Sequence, residues 1–506
     1  MNCKAMNLTN RAALSGLLAA FAMLVVFAVP MQAQVKLEQL SKDTFTNSQM
    51  QHATEVEPDT YSFGSTFVTA FQVGRRASGG GSSDIGFAIS TDGGSSWKHG
   101  YLPGLTVYYK DGQFNAVSDP SVVYDAHHAV WLVSSLGISD AQDNTTLLVS
   151  SSADGITWSK PVVANNNSSY ADKDWITCDN TSTSKYYGHC YIEWEDADDG
   201  DQVMMTTSTD GGKTWGAKYP VNNAFGLGGQ PVVQTDGKVV VPFYAFESNS
   251  ISSFTSTNGG KSWSSAAVIF TLSDHAIAGE LRAVYDFPSV EVGSDGTIYM
   301  VWWDCRFRKG CPSNDIVLST STDGEHWSAV SRIPIDPTTS TVDHFLAGIA
   351  VDQATSGSST HLGVTYYFYP NANCSVSTCR LGVGFVSSTD AGNTWTTAEK
   401  LASGMQMSWL PNTTLGYMVG DYISASYLNG KAFGVFAKAL APVNSKFREA
   451  MYTPDMGLYQ IEEPQGPRLS SAGDLPVPGA KSDHPPVPYW DSDGRIPRPI
   501  SEREER

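Results

Sequence analysis

The sequence predicts an all-β protein built as a single β-propeller of four-stranded blades. Three observations support this fold class: a turn phrase that recurs six times, a second series of seven strand openings, and a scarcity of helical patterning. We expect residues 34–460 to form the propeller, between an N-terminal segment at 1–33 and a C-terminal segment at 461–506.

The recurring phrase begins with Ser and ends with Trp, and its third residue is Asp in five copies and Asn258 in the other. The six copies are Ser90–Trp97, Ser152–Trp158, Ser208–Trp215, Ser256–Trp263, Ser321–Trp327 and Ser388–Trp395. A strand-like segment flanks each copy on both sides, which is typical of a hairpin turn. The Asp or Asn side chain can accept backbone N–H groups across the turn, Gly supplies a positive φ, and Trp covers the apolar face.

This phrase, S-x-[DN]-x(0,1)-G-x-x-W, resembles the Asp-box, or bacterial neuraminidase repeat (BNR), of the sialidase superfamily. The resemblance covers roughly residues 50 to 455. It implies an exported propeller that acts on or recognises glycans, with sialidase-type hydrolysis of terminal sugars as one activity and a non-catalytic binding platform as the alternative. In that family the box is a structural turn away from the catalytic face.

The second series marks the first strand of each blade. The openings are Glu57-Pro58, Asp119-Pro120, Asp174-Trp175, Gln230-Pro231, Phe287-Pro288, His344-Phe345 and Asp421-Tyr422. They predict seven blades, with six blades, as in catalytic sialidases, as the alternative. The segment from Val35 to Phe45 could supply the last outer strand, which would close the ring and leave no open sheet edge.

Both ends of the chain differ from the repeats. Residues 1–33 carry Lys4 and Arg11 before an apolar run and are typical of a secretory signal peptide, or of an uncleaved anchor if they stay attached. We therefore expect a secreted or periplasmic protein without a membrane span once the signal is removed. The Pro-rich stretch 461–506 is expected to be a disordered tail.

Six cysteines follow the signal in three close pairs, which predict the disulfides Cys178–Cys190, Cys305–Cys311 and Cys374–Cys379. A net charge of −19 argues against nucleic acid or an anionic membrane as a partner. We expect a monomer whose partner is a glycan or glycoconjugate and which requires no cofactor.

Polar residues that lead the first strands should gather around the propeller axis. The predicted ligand-binding residues of this kind are Asp174, Asp286, Asp343, His344 and Asp421. A repeated polar strand start can also be purely structural, because it can bond neighbouring backbone groups.

Sialidases use a Tyr nucleophile, an acidic acid/base and three arginines that hold the sugar carboxylate. Asp119, Tyr422 and Glu280 are the catalytic candidates by this resemblance, although Tyr422 could equally be a core residue. The arginine candidates are Arg75, Arg76, Arg282, Arg306 and Arg308, of which the last two lie in the Cys305–Cys311 loop. The family's Phe-Arg-Ile-Pro motif is absent, and Arg75 matches in position only.

The acidic stretch from Glu193 to Asp201 predicts a structural calcium site at Asp196, Asp198 and Asp201. The spacing does not complete a twelve-residue EF-hand loop, and a solvated acidic turn would have the same composition.

Overall fold

The structure is a computed structural model that describes residues 35–140, 144–165 and 170–458, together with two short strands at 465–467 and 469–470. The described chain is almost entirely antiparallel β-structure. Its helices are three 3-10 turns at Ala197–Asp199, Gly357–Ser359 and Met407–Trp409. The all-β prediction is confirmed, whereas the predicted signal at 1–33 lies outside the described residues.

The strands of the N-terminal half are β1 (Leu37–Gln39), β2 (Glu55–Phe63), β3 (Thr66–Arg75), β4 (Ser82–Ser90), β5 (Lys98–Tyr101), β6 (Ala116–Asp125), β7 (Val130–Ser139), β8 (Asn144–Ser152), β9 (Val162–Asn165), β10 (Ala171–Cys178), β11 (Cys190–Asp196), β12 (Gln202–Ser208), β13 (Tyr219–Leu227), β14 (Val232–Val233), β15 (Val239–Ala245), β16 (Ser250–Ser256) and β17 (Ala267–Thr271).

Those of the C-terminal half are β18 (Ser289–Val292), β19 (Ile298–Asp304), β20 (Asp315–Ser321), β21 (Ser331–Arg332), β22 (Asp343–Val351), β23 (Leu362–Tyr369), β24 (Leu381–Ser388), β25 (Thr394–Trp395), β26 (Glu399–Met405), β27 (Asn412–Thr413), β28 (Gly416–Tyr417), β29 (Ser424–Leu428), β30 (Lys431–Ala439), β31 (Glu449–Pro454), β32 (Gln465–Pro467) and β33 (Leu469–Ser470).

Among the described residues, these strands pair in seven four-stranded antiparallel units. The units are β2–β5, β6–β9, β10–β13, β14–β17, β18–β21, then β22, β23, β24 and β26, and finally β29, β30, β31 and β1. The first strands β2, β6, β10, β14, β18, β22 and β29 contact one another in this order, and β29 also contacts β2.

The last unit takes its outer strand from the start of the described chain. Leu37 pairs with Pro454 and Gln39 with Tyr452, so β1 covers the edge of β31. The Leu40 amide extends this contact by donating to the Met451 carbonyl at 2.8 Å. The predicted pairing of the segment 35–45 with the last unit is therefore present.

Inner strands are buried on both faces, which explains their nearly continuous apolar runs. Val239–Ala245 and Ile298–Asp304 are almost wholly buried. A strand with one face in water would instead alternate between apolar and polar residues. Outer strands such as Lys98–Tyr101 are largely exposed and polar.

The six Asp-boxes form turns, as predicted, with one box in each of the first six units; each connects the third and fourth strands of its unit. In the second box, Asp154 Oδ1 accepts the Thr157 amide at 2.7 Å, and Ser152 Oγ accepts the Gly155 amide at 2.9 Å. The Trp158 indole donates to the Gly155 carbonyl at 3.1 Å and is buried. Because the third strand runs parallel to the first, every box lies at the end of the unit where the first strand finishes, here called the box end.

All three predicted disulfides are present, at Cys178–Cys190, Cys305–Cys311 and Cys374–Cys379. No helix among the described residues is long and apolar enough to cross a membrane. Within the predicted tail, β33 pairs with β21 and β32 with β25, and the rest of 461–506 lies outside the described residues.

Candidate functional site

The first strands of four units carry a β-bulge near their beginnings. The bulges fall between Val56 and Asp59, Ser118 and Ser121, Asp172 and Trp175, and Phe345 and Ala347. At each bulge a non-glycine residue has a positive φ: Glu57 (55°), Asp119 (48°), Lys173 (53°) and Leu346 (46°). Such a backbone costs about 1–3 kcal/mol per residue and persists only where the surrounding structure imposes it. This end of the units, opposite the boxes, is called the bulge end.

Three bulge residues meet in a buried group of charges. Lys173 Nζ lies 3.1 Å from Glu57 Oε1, 3.2 Å from Asp119 Oδ1 and 2.6 Å from Asp421 Oδ2. Arg282 donates two hydrogen bonds to the same Asp421, from Nε to Oδ1 at 2.8 Å and from Nη2 to Oδ2 at 2.5 Å. None of the five side chains is more than 10% exposed. Glu57, Asp119, Lys173, Arg282 and Asp421 are called the ionic cluster.

Neighbouring groups hold the carboxylates of the ionic cluster in place. The Gln72 amide donates to Glu57, and the Ser118 hydroxyl donates to Asp119 Oδ2 at 3.0 Å. The Asp421 backbone amide donates to Glu57 Oε1 at 3.1 Å. Strands of the first three units and the connection before β29 thus hold the carboxylates of the ionic cluster in fixed positions.

The carboxyl groups of the ionic cluster differ in proton affinity. Burial, which outweighs the attraction of Lys173, raises the pKa of Glu57 to about 7, and the charges of Asp119 and Asp421 add to this. For Asp421 burial opposes ionisation, but Arg282 and Lys173 outweigh it and hold the pKa below its usual value. Lys173 likewise outweighs burial at Asp119 and lowers its pKa. The site therefore holds one carboxyl that can carry a proton at neutral pH beside two that stay ionised.

The ammonium group at the centre stays charged. Burial alone would lower the pKa of Lys173, but Asp119, Asp421 and Glu57 together raise it well above its usual value. Lys173 is therefore a fixed positive charge rather than a proton donor.

Arg75 is the other arginine near the ionic cluster. It is 2% exposed, and its Nη1 donates to three backbone carbonyls between residues 76 and 81 at 2.7–3.2 Å. Arg75 Nε and Arg282 Nη1 both approach the Met418 sulfur, at 3.2 and 3.9 Å. Burial and then the charge of Arg282 lower the pKa of Arg75 to about 10.

The remaining arginine candidates lie elsewhere. Arg76 pairs with Asp140 at 2.9 Å. Arg306 bonds Asp304 at 2.5 Å, within the unit that contains its own disulfide loop.

Arg308 belongs to a second buried network. It lies 2.6 Å from Asp315 and 2.7 Å from Asp336, and Arg332 contacts the same two carboxylates at 2.7 Å. Of the five arginine candidates, only Arg75 and Arg282 therefore approach the ionic cluster, and a three-arginine clamp is not assembled there.

The three catalytic candidates lie in different environments. Asp119 is in the ionic cluster. The Tyr422 hydroxyl donates to the Pro120 carbonyl at 3.2 Å, and burial, followed by the charges of Glu57 and Asp119, raises its pKa well above the usual value. Such a phenol is a poor nucleophile at neutral pH. The Glu280 side chain is exposed and lies outside the cluster.

The other predicted axis residues are buried but form no ion pair with the ionic cluster. Asp174 neighbours the buried Glu193, and burial raises the pKa of both carboxyl groups well above their usual values. Asp286 behaves in the same way, also chiefly through burial.

Asp343 and His344 lie together in β22. Asp343 accepts the Asn314 amide at 2.7 Å, and His344 Nδ1 lies 3.1 Å from the Asn314 carbonyl. Burial lowers the pKa of His344. These two residues bond β22 to Asn314 of the neighbouring unit, and neither bonds a member of the ionic cluster.

The residue that the sequence interpretation missed is Lys173. Its neighbour Asp174 was aligned with the other openings, but the bulge shows that Lys173-Asp174 corresponds to Glu57-Pro58 and Asp119-Pro120. The available signal was an unusual lysine directly before an opening, in a chain with few basic residues.

Two small cavities of about 30 Å³ flank the ionic cluster, each large enough for a water molecule. One is lined by aromatic side chains that include Trp175, Phe287 and Trp303, beside Gln230. The other is lined by Arg282 together with residues of its own connection.

Two connections cover this end of the site, at 273–288 and 406–423, and the second contains the short strands β27 and β28. They are joined by backbone hydrogen bonds from the Arg282 amide to the Tyr417 carbonyl at 2.7 Å and from the Tyr417 amide to the Glu280 carbonyl at 2.8 Å. The cover carries Arg282 and Asp421 and so contributes two members of the ionic cluster.

Close sets of potential metal ligands in the described part of the chain are Asp125–Cys178–Cys190 and Asp315–Asp336–His344. The first contains a disulfide, and the second already has two arginines as counter-charges. The calcium candidates are not in either set: Asp196 pairs with Lys218 at 3.1 Å, and Asp198 accepts the Tyr170 amide at 3.0 Å. Calcium binding with Asp201 stays a prediction.

Comparisons with known proteins bear on the family and the fold. Residues 186–408 match the family model described as a BNR repeat-like domain. No curated protein matches the chain significantly in sequence.

Among solved structures, an ulvan lyase of polysaccharide lyase family PL25, bound to -[GlcA(1-4)Rha3S]-, has a TM-score of 0.50 at 9% identity, over 83% of this chain and 96% of that chain. The Hadza microbial sialidase Hz136 has a TM-score of 0.43 at 18% identity, over 62% of this chain and 64% of that chain. The chain thus spans less than two thirds of that sialidase. NanB sialidase from Streptococcus pneumoniae has a TM-score of 0.40 at 15% identity, over 84% of this chain and 71% of that chain.

The six boxes, each folded as the predicted turn, agree with the matched family model. Within the chain, residues 186–408 are similar to a BNR repeat-like domain.

Proposed function

We propose that this protein is an exported, glycan-acting propeller that performs acid–base chemistry on a sugar at its bulge end. The observation that carries the proposal is the ionic cluster, in which Glu57 can hold a proton at neutral pH beside two ionised carboxylates around Lys173. Export is supported by the signal-like N-terminus and the three disulfides.

We infer that the seven units are the blades of one closed propeller. The ordered contacts between first strands, and the return contact from β29 to β2, support this inference. In such a ring the bulges bring side chains from different blades to the axis, which is where propellers bind small ligands.

Glycan cleavage needs a group that protonates or deprotonates the substrate and a charge that stabilises the transition state. Glu57 suits the first role, because its pKa of about 7 makes both protonation states available. Asp421 and Asp119 suit the second, because they remain ionised in a buried setting. This division favours a carboxylate-based reaction over one that starts from a tyrosine nucleophile.

The charges also bear on the kind of sugar. Arg282 Nη1 and Arg75 Nη2 have no oxygen partner among the described residues, whereas the other guanidinium nitrogens of Arg282 bind Asp421. An acidic sugar would supply the missing oxygens. The ulvan lyase of similar fold was solved with a glucuronate-containing ligand, which is consistent with this by analogy of fold alone.

A sugar ring does not fit the two 30 Å³ cavities, so substrate entry requires displacement of the cover at 273–288 and 406–423. That movement would carry Arg282 and Asp421 away from Lys173 and open the path to Glu57. Closure over the substrate would exclude water and strengthen the charges of the site.

The test is an activity screen of the full chain against sialosides, neutral glycosides and uronate-containing polysaccharides. Absorbance of an unsaturated product would distinguish elimination from hydrolysis, which releases a reducing end without it. We expect Glu57→Gln to reduce turnover at least about 100-fold, since proton transfer contributes about 10²–10⁴-fold. Glu325→Gln, which changes an exposed side chain paired with Lys238 at the box end, is the matched control.

The second candidate function is a non-catalytic glycan-binding platform. It is favoured by the mutual pairing of all five cluster side chains and by the small cavities. Glycan binding without product from any substrate, unchanged by Glu57→Gln, would support this function and exclude the enzymatic one.

A further inference from the structure

A larger cavity opens at the box end, away from the ionic cluster. It has a volume of about 680 Å³, within the range of small-molecule sites. Its walls are the final residues of six first strands and the residues just after them, from 61–64 at the end of β2 to 425–430 at the end of β29. This cavity is called the vestibule.

Most side chains that line the vestibule are small or neutral, but its charged side chains are acidic and three of its side chains are aromatic. Among the described residues that form it, Glu291 and Asp352 are the charged side chains, and none is Lys or Arg. Tyr61, Phe63 and Tyr427 contribute rings, and Phe63 is 43% exposed. Aromatic faces and carboxylates both attract cations and offer nothing to an anion.

Glu291 has no assigned structural role. Its side chain makes no hydrogen bond or ion pair with a described residue, although its strand β18 is fully paired with β19. Asp352, by contrast, accepts the Ala354 amide at 3.0 Å and lies 3.6 Å from His361 Nδ1. Glu291 is therefore the free acceptor of the vestibule.

The titratable groups that face Glu291 are Asp59 and Tyr61 on β2, with Asp352 lining the same cavity. Burial, and then the charge of Asp59, raises the pKa of Glu291 to about 8. Asp59 is held by the Ser121 hydroxyl and the Val122 amide at 2.9 and 2.8 Å, and burial raises its pKa to about 6. No positive side chain among the described lining residues stabilises ionised Glu291.

We propose that the vestibule binds an organic ammonium ion, with the Glu291 carboxylate as its counter-charge and the rings of Tyr61, Phe63 and Tyr427 around it. The same geometry serves a free quaternary ammonium molecule or a primary ammonium group on a larger ligand. The site is independent of the proposed glycan chemistry, because it lies at the opposite end of the first strands and shares no residue with the ionic cluster.

The test is calorimetric titration of the full chain with choline and with its uncharged isostere, in which carbon replaces the nitrogen. Choline keeps its charge at every pH, so any pH dependence belongs to the protein. We expect choline to bind at least about tenfold more tightly than the isostere at about pH 9. Below the pKa of Glu291 the affinity should fall by up to about tenfold per pH unit, because a proton then competes with the ligand.

Glu291→Gln should remove both the preference for choline and its pH dependence, while Glu325→Gln at the same end should keep them. Lysine amide is a further arm, since tighter binding than choline assigns the site to primary amines. Equal binding of choline and the isostere, or unchanged binding after Glu291→Gln in a variant that unfolds like the parent, would overturn the proposal.

Discussion

The two ends of the first strands differ in how their buried charges are compensated: the charges are paired at the bulge end, whereas Glu291 is unpaired at the box end. At the bulge end, five charged side chains are packed together, three of them on residues with strained backbone, and cavities of about 30 Å³ remain. At the box end, the first strands run without bulges into a vestibule of about 680 Å³, where Glu291 has no basic partner among the described residues.

This difference shows that buried charges which contact each other contribute to the stability of the fold as well as to the chemistry of the site. A buried charge is tolerated when it is paired, so the bulge-end charges depend on one another for stability. The free carboxyl of the vestibule depends on protonation instead. The three stability predictions that follow test this contrast, from the largest effect to the smallest.

The largest effect is expected for Lys173→Met. Removal of the ammonium leaves Glu57, Asp119 and Asp421 facing each other with Arg282 as the main counter-charge, so stability should fall by about 3–5 kcal/mol. Urea unfolding at neutral pH measures this. Lys238→Met, which breaks the pair with the exposed Glu325, is the control and should cost under about 1 kcal/mol. A loss of similar size in both variants would refute the dependence on pairing.

An intermediate effect is expected from carboxyl groups that are buried without a cation. Burial raises the pKa of Glu55 to about 8, from a usual value of 4.5. Between these values the folded protein keeps a proton that the unfolded chain has lost, so rising pH favours unfolding throughout this window.

Glu55→Gln should therefore match the parent at about pH 4 and exceed its unfolding free energy at about pH 9, by on the order of 3 kcal/mol. Glu291→Gln should show the same sign with a smaller gain, because Glu291 faces a cavity. Denaturant titrations across this pH range measure both. A pH profile of Glu55→Gln parallel to that of the parent would contradict the assignment of the proton to Glu55.

The smallest effect is expected in an Asp-box. Asp154→Ala removes the carboxylate that accepts the Thr157 amide in an exposed turn, which should cost about 0.5–1.5 kcal/mol and leave any bulge-end activity intact. Thermal unfolding and the activity screen measure the two parts. A loss of activity without a loss of stability would show that the boxes do more than form turns.

Much of the fold was predictable because its signals are local. Asp154, Gly155 and Trp158 form their turn from contacts within seven residues, so the phrase itself contains the required chemistry. The disulfides behave similarly, since a short loop brings Cys305 and Cys311 together in almost any conformation.

The candidate site was only partly predictable. The catalytic candidate Asp119, the arginine candidate Arg282 and the predicted axis residue Asp421 meet in the ionic cluster. Arg306 and Arg308 were expected to share a ligand site because they share a loop. The fold turns them into separate ion pairs with Asp304 and Asp315.

By itself, the sequence determined the all-β class, the box turns and the disulfide pairs, because each depends on residues that are close along the chain. Tertiary structure alone decided that Lys173 is the centre of the ionic cluster and that burial raises the pKa of Glu57 to about 7. A one-residue bulge selects Lys173 instead of Asp174, and its partners Asp119 and Asp421 come from other parts of the chain. Burial and pairing of charges are properties of such long-range neighbours, and no local pattern encodes them.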